Sequence, residues 1–401
     1  MKVLVGRLRG RCVVVAIVAA MVAMLPAPAA AQGQPLSDVL SLLLTNRAVQ
    51  TGDFERDAAA AAATRDTVTE LLVAELATQP PSLSSVAFVY RINAGLGTVE
   101  RASTSFGSFF TERSLTGGRG QSAVGVSLRT AGFRSLDGRD LRDGQFLTTA
   151  NQFRDEAEPF DFETLTLELE SRVLTFTGTF GVTDRLDVSA AVPIVSLSMT
   201  GNRVNTYRGD RVVQATADAS ASGLGDVAVR AKYGLLNGRS GGLAIAGELR
   251  LPTGHEEDLL GAGATTVSAL LVGSAERGPF GYHGNVSVSG GGLSNEIAYR
   301  GAVTVNPADR VTLVGELLGR RLGDAGRIIA MRAPHPTILN VDTIRLVPED
   351  TSVSTASAVI GAKWNITGTW ILAGHVVRPL TGRGLRSGTV TLIGLDYAFG
   401  R

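Results

Sequence analysis

Two neighbouring stretches decide the fold of this chain: GLGDVAVRAKYGLL, from Gly223 to Leu236, and GLAIAGELRL, from Gly242 to Leu251. In each, apolar residues occupy every second position, and charged residues such as Arg230 and Glu248 fall between them. Side chains of a β-strand point alternately to opposite faces, so both stretches are predicted to be strands with one apolar and one polar face. The short Gly-rich connection between them predicts an antiparallel hairpin.

The same period of two runs from Ser85 to the end of the chain. It predicts fourteen candidate strands. The barrel that they form is predicted to have twelve strands, or fourteen if every candidate takes part. The candidates are Val86–Ala94, Thr104–Thr111, Gln121–Ala131, Glu163–Val182, Leu186–Met199, Gly223–Leu236, Gly242–Leu251, Thr265–Ala275, Phe280–Gly290, Ile297–Val305, Arg310–Arg320, Ser352–Lys363, Thr369–Arg378 and Ser387–Phe399.

Connections between these strands alternate in length. Short turns, such as Asn306–Asp309, alternate with long connections, such as Gly132–Phe162 and Arg321–Thr351. The connection Gly291–Glu296 is a short exception. Outer-membrane barrels show this asymmetry, with short periplasmic turns and long external loops. The pattern therefore predicts an all-β, transmembrane antiparallel barrel over residues 85–401, with both chain ends in the periplasm.

Charged residues keep to one face of each predicted strand, because a charge that faces lipid at mid-membrane costs about 2–4 kcal/mol. That face is predicted to line the lumen, where the charges either brace a narrow interior or select among permeants. The predicted pore-lining residues are Glu168, Glu170, Arg172, Asp187, Asp226, Arg230, Lys232, Glu248, Arg250, Arg300, Glu316, Arg320, Lys363 and Asp396.

Aromatic residues favour a membrane barrel over a soluble β-sandwich, which would alternate in the same way. They fall at the short-turn ends of their strands, whereas a sandwich core would scatter them through its depth. One level of rings fits a membrane-interface girdle. Its predicted members are Phe180, Tyr233, Phe280, Tyr282, Trp364, Trp370, Tyr397 and Phe399.

The first 31 residues read as a signal peptide, with basic Arg7, Arg9 and Arg11, an apolar run and an Ala-x-Ala site before Gln32. Export and location in the outer membrane follow as expectations. Cys12 is the only cysteine and lies inside this segment, so the exported chain would have no disulfide and no thiol chemistry. The chain is nearly neutral, with 38 basic and 37 acidic residues, which gives no reason to expect nucleic acid as a partner.

Residues 32–84 differ from the rest and read as helix. Two segments are predicted, Asp38–Val49 and Asp53–Ala77, and Pro80 and Pro81 end the second. An apolar stripe that includes Leu71 and Leu72 shows that this helix packs on something. Two placements stay open: a periplasmic helical segment and a plug inside the mouth of the barrel.

A resemblance to a known family lies in the central hairpin. The run Leu224-Gly225-Asp226-Val227, then Lys232-Tyr233, then Leu249-Arg250-Leu251-Pro252-Thr253-Gly254 resembles the outer-membrane transporter family named for meta-pathway phenol degradation. The resemblance implies an outer-membrane barrel that transports small compounds, aromatic or hydrophobic ones included, and assigns no binding residue. The ending Gly394-x-x-Tyr397-x-Phe399 looks like the signal read by the barrel assembly machinery, although Gly400 and Arg401 follow it.

Three sequence patterns resemble catalytic or metal-binding motifs, but each lacks a feature that the motif requires. Residues 238–242 match G-x-S-x-G, but that motif needs a strand-to-helix elbow and this one lies in a hairpin turn. His283 shares a strand face with Ser287 and Ser289, yet a hydrolase also needs an acid and the right geometry. The acidic loop from Asp137 to Asp143 lacks the spacing of a calcium loop. We therefore expect no catalytic residue, no metal and no cofactor.

The function favoured by the sequence is a channel for passive uptake of small organic molecules, with outer-membrane lipid, the assembly machinery and the permeant as partners. The alternative is a closed barrel with a structural or surface-interaction role and no through-pore. The radius of the lumen would separate the two, and a Ser–His contact near 3 Å would be needed to raise the third possibility, a barrel enzyme.

Overall fold

The computed structural model describes residues 34–77, 90–93, 98–101, 103, 105–238, 241–292, 294–323 and 325–399. The predicted signal peptide therefore lies outside the described residues, as do two residues of the G-x-S-x-G match. Of the predicted strand Val86–Ala94, only β1 (Tyr90–Asn93) is described, and it pairs with β2 (Thr98–Arg101) in a separate small sheet.

Within the described residues, twelve long antiparallel strands close a barrel, and each pairs with the next along the chain. They are β3 (Ser122–Leu136), β6 (Asp161–Gly181), β7 (Leu186–Tyr207), β9 (Val227–Asn237), β10 (Gly241–Leu251), β11 (Thr266–Arg277), β12 (Phe280–Gly291), β13 (Glu296–Ala308), β14 (Val311–Leu322), β17 (Val353–Asn365), β18 (Trp370–Pro379) and β20 (Val390–Phe399). Strand β3 pairs with β20 on one side and with β6 on the other, which closes the cylinder. The predicted all-β barrel of twelve strands is confirmed.

Connection lengths differ between the two ends of the barrel as the sequence predicts, but the long connections are not plain loops. They contain β4 (Arg139–Asp140), β5 (Phe146–Phe153), β8 (Asp210–Leu224), β15 (Arg327–Pro334), β16 (Val341–Glu349) and β19 (Leu385–Ser387). These strands pair with one another and with the ends of the barrel strands, so they extend the wall at that end. We call this end, which carries the long connections, the outer mouth.

The predicted strand Thr104–Thr111 is wrong: its described residues, 105–111, form no strand. Their backbone N–H groups bond to barrel side chains, as when Phe106 donates to the Thr312 hydroxyl at 3.1 Å. All seven of these residues are buried, although no neighbouring strand pairs with them. Residues 105–121 run through the interior of the barrel, and we call them the inner segment.

Among the described residues, two helices precede the barrel, α1 (Leu36–Leu44) and α2 (Phe54–Ala77). Helix α1 contacts β7 and β8, and α2 contacts β15, β16 and β19, so both lie in the outer mouth. Their buried side chains form one apolar core with inward residues of the wall, including Leu165, Leu197 and Leu346. These contacts place both helices against the wall at the end that carries the long connections. We call α1, α2 and the inner segment together the plug.

Close approach of helix to wall depends on a glycine of β7. A Cβ at Gly201 would collide with the side chain of Leu43, the most buried residue of α1. Among the described helices, neither has the length and apolar character that crossing a membrane requires.

Candidate functional site

The interior face of the barrel carries eleven of the fourteen charged residues predicted to line a pore. They are Asp187, Asp226, Arg230, Lys232, Glu248, Arg250, Arg300, Glu316, Arg320, Lys363 and Asp396. Each is buried or half-buried, because the plug covers much of the interior. The sequence placed these residues on the inward face by alternation, but it gave no account of what they contact there.

Three predicted pore-lining residues lie elsewhere. Glu168, Glu170 and Arg172 are exposed, whereas Leu165 and Leu167 of the same strand point inward and are buried. Strand β6 has 21 residues, about twice the 9–11 that cross a membrane, so its outer half stands clear of the lipid. Charges are therefore tolerated on its outward face, while the inward face packs on the plug. The prediction that these three residues line a pore is wrong.

The predicted girdle residues face outward. Phe180, Tyr282, Trp364 and Phe399 are each between 43% and 50% exposed, as are Tyr233 and Phe280. Trp370 and Tyr397 are paired across β18 and β20, with ring centroids 4.6 Å apart. All eight lie near the short-turn ends of their strands, the level at which the prediction placed them. Rings at one level on the outward face suit a lipid headgroup region.

A buried ionic network joins the inner segment to β9 and β10. Glu112 of the inner segment pairs with Arg230, and its carboxylate lies 3.5 Å from the Lys232 ammonium. Arg230 also donates from Nε to Glu248 at 2.9 Å, so one guanidinium bridges plug and wall. All four side chains are less than 10% exposed. Breaking one partner of such a buried pair is costly, because it leaves an uncompensated charge.

The next part of the inner segment extends this network towards the short-turn end. The Lys232 ammonium donates to the carbonyl of Leu115 at 3.0 Å, and the N–H of Gly117 donates to the Asp187 carboxylate at 2.9 Å. Thr116 donates from its hydroxyl to the carbonyl of Asp184 in the β6–β7 turn. The chain is thus fixed to the wall until it turns into β3.

A second anchor is the carboxylate of Glu316 on β14. It accepts the backbone N–H groups of Phe109, Phe110 and Thr111, and the Thr111 hydroxyl at 2.9 Å. Glu316 is 4% exposed, so these donors replace the water that a buried carboxylate has lost. Three successive N–H groups that converge on one anion form a compact and directional contact.

Lys363 and His375 hold the same turn from the other side. The Lys363 ammonium donates to the carbonyl of Ser108 at 2.6 Å and lies 5.1 Å from the centroid of the Phe109 ring. That ring stacks at a tilt on His375, with centroids 4.3 Å apart. Gly361 leaves the space the ring needs, since a Cβ there would lie 2.6 Å from it.

The helices are anchored by ion pairs at the outer mouth. Glu75 of α2 accepts from Arg320 at 2.7 Å, and Asp57 of α2 pairs with Arg345 of β16. Arg203 of β7 donates to the carbonyl of Leu42, which caps the end of α1. These buried contacts place charged wall residues on the plug. Much of the mixed-sign interior therefore braces the fold, one of the two roles that the sequence left open.

The motif residues of the central hairpin have a structural role. Asp226 accepts the N–H groups of Gly254 at 3.0 Å and Ala262 at 2.8 Å, and Thr253 donates to the carbonyl of Gly225 at 2.7 Å. The Leu-Gly-Asp and Pro-Thr-Gly turns are thereby tied together. Asp226 faces inward as predicted, but the β10–β11 connection occupies its carboxylate.

A cavity lies between plug and wall, along β9 to β14. The space free of atoms there is about 730 Å³, a figure that includes open solvent. The polar part of its lining includes Arg230, Arg250, Arg300, Glu248, Glu296, Ser268, Ser287 and Ser289. Its apolar part includes Ala74 of α2, Ala262, Leu270 and Leu322. This cavity therefore offers both polar and apolar surface to a small molecule.

The enzyme alternative required a Ser–His contact, and one is present. His283 Nδ1 lies 3.0 Å from the hydroxyl of Ser274, and not from Ser287 or Ser289, which the sequence singled out. That hydroxyl already accepts the N–H of Ser114, and His283 Nε2 has no hydrogen-bond partner among the described residues. The pair therefore lacks the acid that would orient the histidine and is covered by the inner segment.

The acidic loop after β3 has its own hydrogen bonds. Asp137 accepts the N–H groups of Ile328 at 2.7 Å and Gly384 at 2.8 Å, so it joins three long connections. Within the described part of the chain, no three His, Cys, Asp or Glu side chains cluster as metal ligands would.

The contacts that matter most were not singled out by the sequence. Glu112, Phe109 and Thr111 lie in a stretch that read as a strand or connection, and nothing local marks them as partners of Glu316 or Arg230. The one available signal was compositional: Ser105 to Thr111 is rich in small polar residues and phenylalanines and contains no valine or isoleucine, the β-branched residues typical of strands.

Comparison with known proteins agrees with the resemblance. The family model described as "Putative MetA-pathway of phenol degradation" matches residues 144–275, from the first long connection to the end of β11. The predicted resemblance is confirmed over this segment. It contains the hairpin whose motif residues Asp226 and Thr253 tie the two turns together. None of the curated protein sequences matches the chain.

Several solved outer-membrane proteins are similar to this barrel at low identity. An outer-membrane channel from Pseudomonas putida F1 is 14% identical, with a TM-score of 0.45, over 70% of this chain and 96% of that chain. The KdgM porin is 9% identical, with a TM-score of 0.34, over 67% and 99%. A FadL homologue from Pseudomonas aeruginosa is 11% identical, with a TM-score of 0.30, over 70% and 89%. The likeness is one of fold.

Proposed function

We propose that the protein is an outer-membrane channel for passive uptake of small organic molecules, with a plug that moves aside when a solute passes. The observation that carries the proposal is the way the plug is held. Side chains such as Glu316 and Arg230 bind it by polar contacts, and apart from the backbone that continues into β3 no covalent cross-link joins it to the wall among the described residues. Polar contacts can exchange with water or ligand, as a gate requires.

The location we propose is the outer membrane, reached through a cleaved signal peptide. The outward apolar surface would contact lipid, and the terminal strand with Tyr397 and Phe399 would be read by the assembly machinery. A transport role is favoured over catalysis because the Ser274–His283 pair lacks an acid among the described residues. Aromatic or hydrophobic permeants remain part of the proposal, as the family's name suggests.

A closed barrel with a structural role is the second candidate. It is favoured by one observation: the inner segment fills the lumen with buried contacts from Ser105 to Gly117. The two candidates differ in one respect. In the channel, the inner segment moves and lets a solute pass, whereas in the closed barrel it stays in place and no solute passes.

A disulfide lock tests this difference. Because Cys12 is the only cysteine and lies in the predicted signal peptide, Ser114→Cys with Ser274→Cys gives a single designed pair. The N–H of Ser114 lies 2.9 Å from the Ser274 hydroxyl, a proximity that suits a disulfide. We expect phosphatidylcholine liposomes containing the reduced protein to swell in arabinose and those containing the oxidised protein not to swell.

The matched control is Thr179→Cys with Ser189→Cys, which joins β6 to β7 and leaves the plug free. Its oxidation should not change swelling. Absence of swelling in the wild type and in both reduced variants would favour the closed barrel over the channel.

A further inference from the structure

Arg300 is the starting point, because its guanidinium makes no hydrogen bond and no close ion pair among the described residues, although Glu296, Glu248 and Glu112 act on its charge from further away. It lies on β13, faces the interior and lines the cavity between plug and wall. The other interior arginines that line this cavity differ: Arg230 pairs with Glu112 and Glu248, and Arg250 with Glu248.

The two acids that line the cavity make their close ion pairs with other arginines. Glu248 is bound by both Arg230 and Arg250. Glu296 lies 3.8 Å from Arg320, which also binds Glu75. Each carboxylate therefore already faces another guanidinium at ion-pair distance, and Arg300 is the arginine of the lining that is left without such a contact among the described residues. A half-buried guanidinium without a close counter-charge attracts an anion more strongly than it would in water.

The hydroxyl groups are arranged to support an anion. Strand registers place Arg230, Glu248, Ser268, Ser289 and Glu296 opposite one another across five strands. The hydroxyls of Ser268 and Ser289 bond to each other at 2.8 Å. Ser287 lies two residues from Ser289 on the same face of β12, and its hydroxyl has no hydrogen-bond partner among the described residues. Ser287 is thus a donor available beside Arg300.

An apolar surface faces these donors. Ala74 of α2, Ala262, Leu270 and Leu322 complete the lining. A ligand that suits both parts has one anionic group and a compact apolar body. An inorganic anion would leave the apolar part uncovered, and a neutral molecule would leave Arg300 unpaired, which costs affinity because a buried charge needs a partner.

We propose that this cavity is a binding site for a small organic anion, such as an aromatic carboxylate, with Arg300 as its principal counter-ion and Ser287 as a hydrogen-bond donor. Planar Arg–carboxylate pairs form two parallel hydrogen bonds, which makes arginine well suited to this group. The inference rests on the proposed channel and adds the charge class of its permeant.

Calorimetric titration of the purified full-length protein with benzoate and benzamide tests the site, because the two share a ring and differ in charge. We expect benzoate to bind at least tenfold more tightly. Arg300→Gln should remove this preference, and Arg300→Lys, which keeps the charge, should retain part of it. Arg277→Gln is the matched control, since Arg277 is exposed on the outward face of β11 and should leave benzoate binding unchanged.

Heat-modified migration in electrophoresis verifies that each variant has folded as a barrel. Equal binding of the two probes, or no binding of benzoate to the wild type, would overturn the inference. Loss of benzoate binding in the Arg277→Gln control as well would also overturn it. Failure of the channel proposal is separate, because arabinose swelling is measured with a neutral solute that does not need Arg300.

Discussion

Glu316 is the residue on which the inner segment depends most, since one buried carboxylate accepts the N–H groups of Phe109, Phe110 and Thr111. An amide at this position would turn a donor towards donors. Hydrogen bonds to charged groups contribute about 1.5–3 kcal/mol each. We expect Glu316→Gln to raise amide hydrogen exchange at residues 109–111 at least tenfold, measured by mass spectrometry, while exchange in the barrel strands stays unchanged.

Glu168→Gln is the control, because Glu168 is exposed and lies outside the barrel interior. It should leave exchange at residues 109–111 at the wild-type rate. If Glu316→Gln also left that rate unchanged, the three N–H groups would be protected by the fold around them and not by the carboxylate.

At the scale of the strand, β6 shows why a position cannot be assigned from its charge alone. In its inner half, Phe180 faces lipid and Thr179 faces the interior. In its outer half, Glu170 faces out and Leu169 faces in, against the plug. The alternation of side chains continues unchanged along the strand. Where the strand leaves the membrane, however, the outward face passes from lipid to water and the inward face packs on the apolar plug. Register fixes the face, and the surroundings decide which residues suit it.

Glu170 is therefore expected to be accessible from outside the cell. In a chain without other cysteines, Glu170→Cys should react with a membrane-impermeant maleimide on intact cells, because its side chain lies on the outward face beyond the lipid. Lys232→Cys, buried behind the inner segment, is the unreactive comparison. Labelling of Glu170→Cys only after the cells are permeabilised would show that the outer mouth faces the periplasm.

The strand pattern explains how much the sequence could predict. The twelve wall strands and their short turns followed from alternation because each wall residue has a fixed inward or outward environment. The inner segment could not be predicted in this way. Its partners are distant in sequence, as with Glu112 and Arg230 or Thr111 and Glu316, and no local pattern encodes contacts made across 118 or 205 residues.

At the scale of the whole molecule, wall and plug depend on different contacts. The backbone groups of the wall strands are satisfied by neighbouring strands around a closed ring, from β3 through β20 and back. In a membrane, this closure meets the hydrogen-bonding requirement that any spanning structure has. The plug contributes apolar packing and ion pairs to the interior, but its described residues supply no strand to the ring.

The barrel should therefore form without its plug. We expect a variant that lacks residues 34–118 to insert and remain heat-modifiable, because the twelve wall strands keep all their pairings. With the interior emptied and its charges returned to water, single-channel conductance in planar bilayers should be several-fold larger than in the full-length protein. Equal conductance would mean that ions already pass around the plug. A variant unable to form the barrel would show that Arg230, Lys232 and Glu316 need the inner segment as their partner during folding.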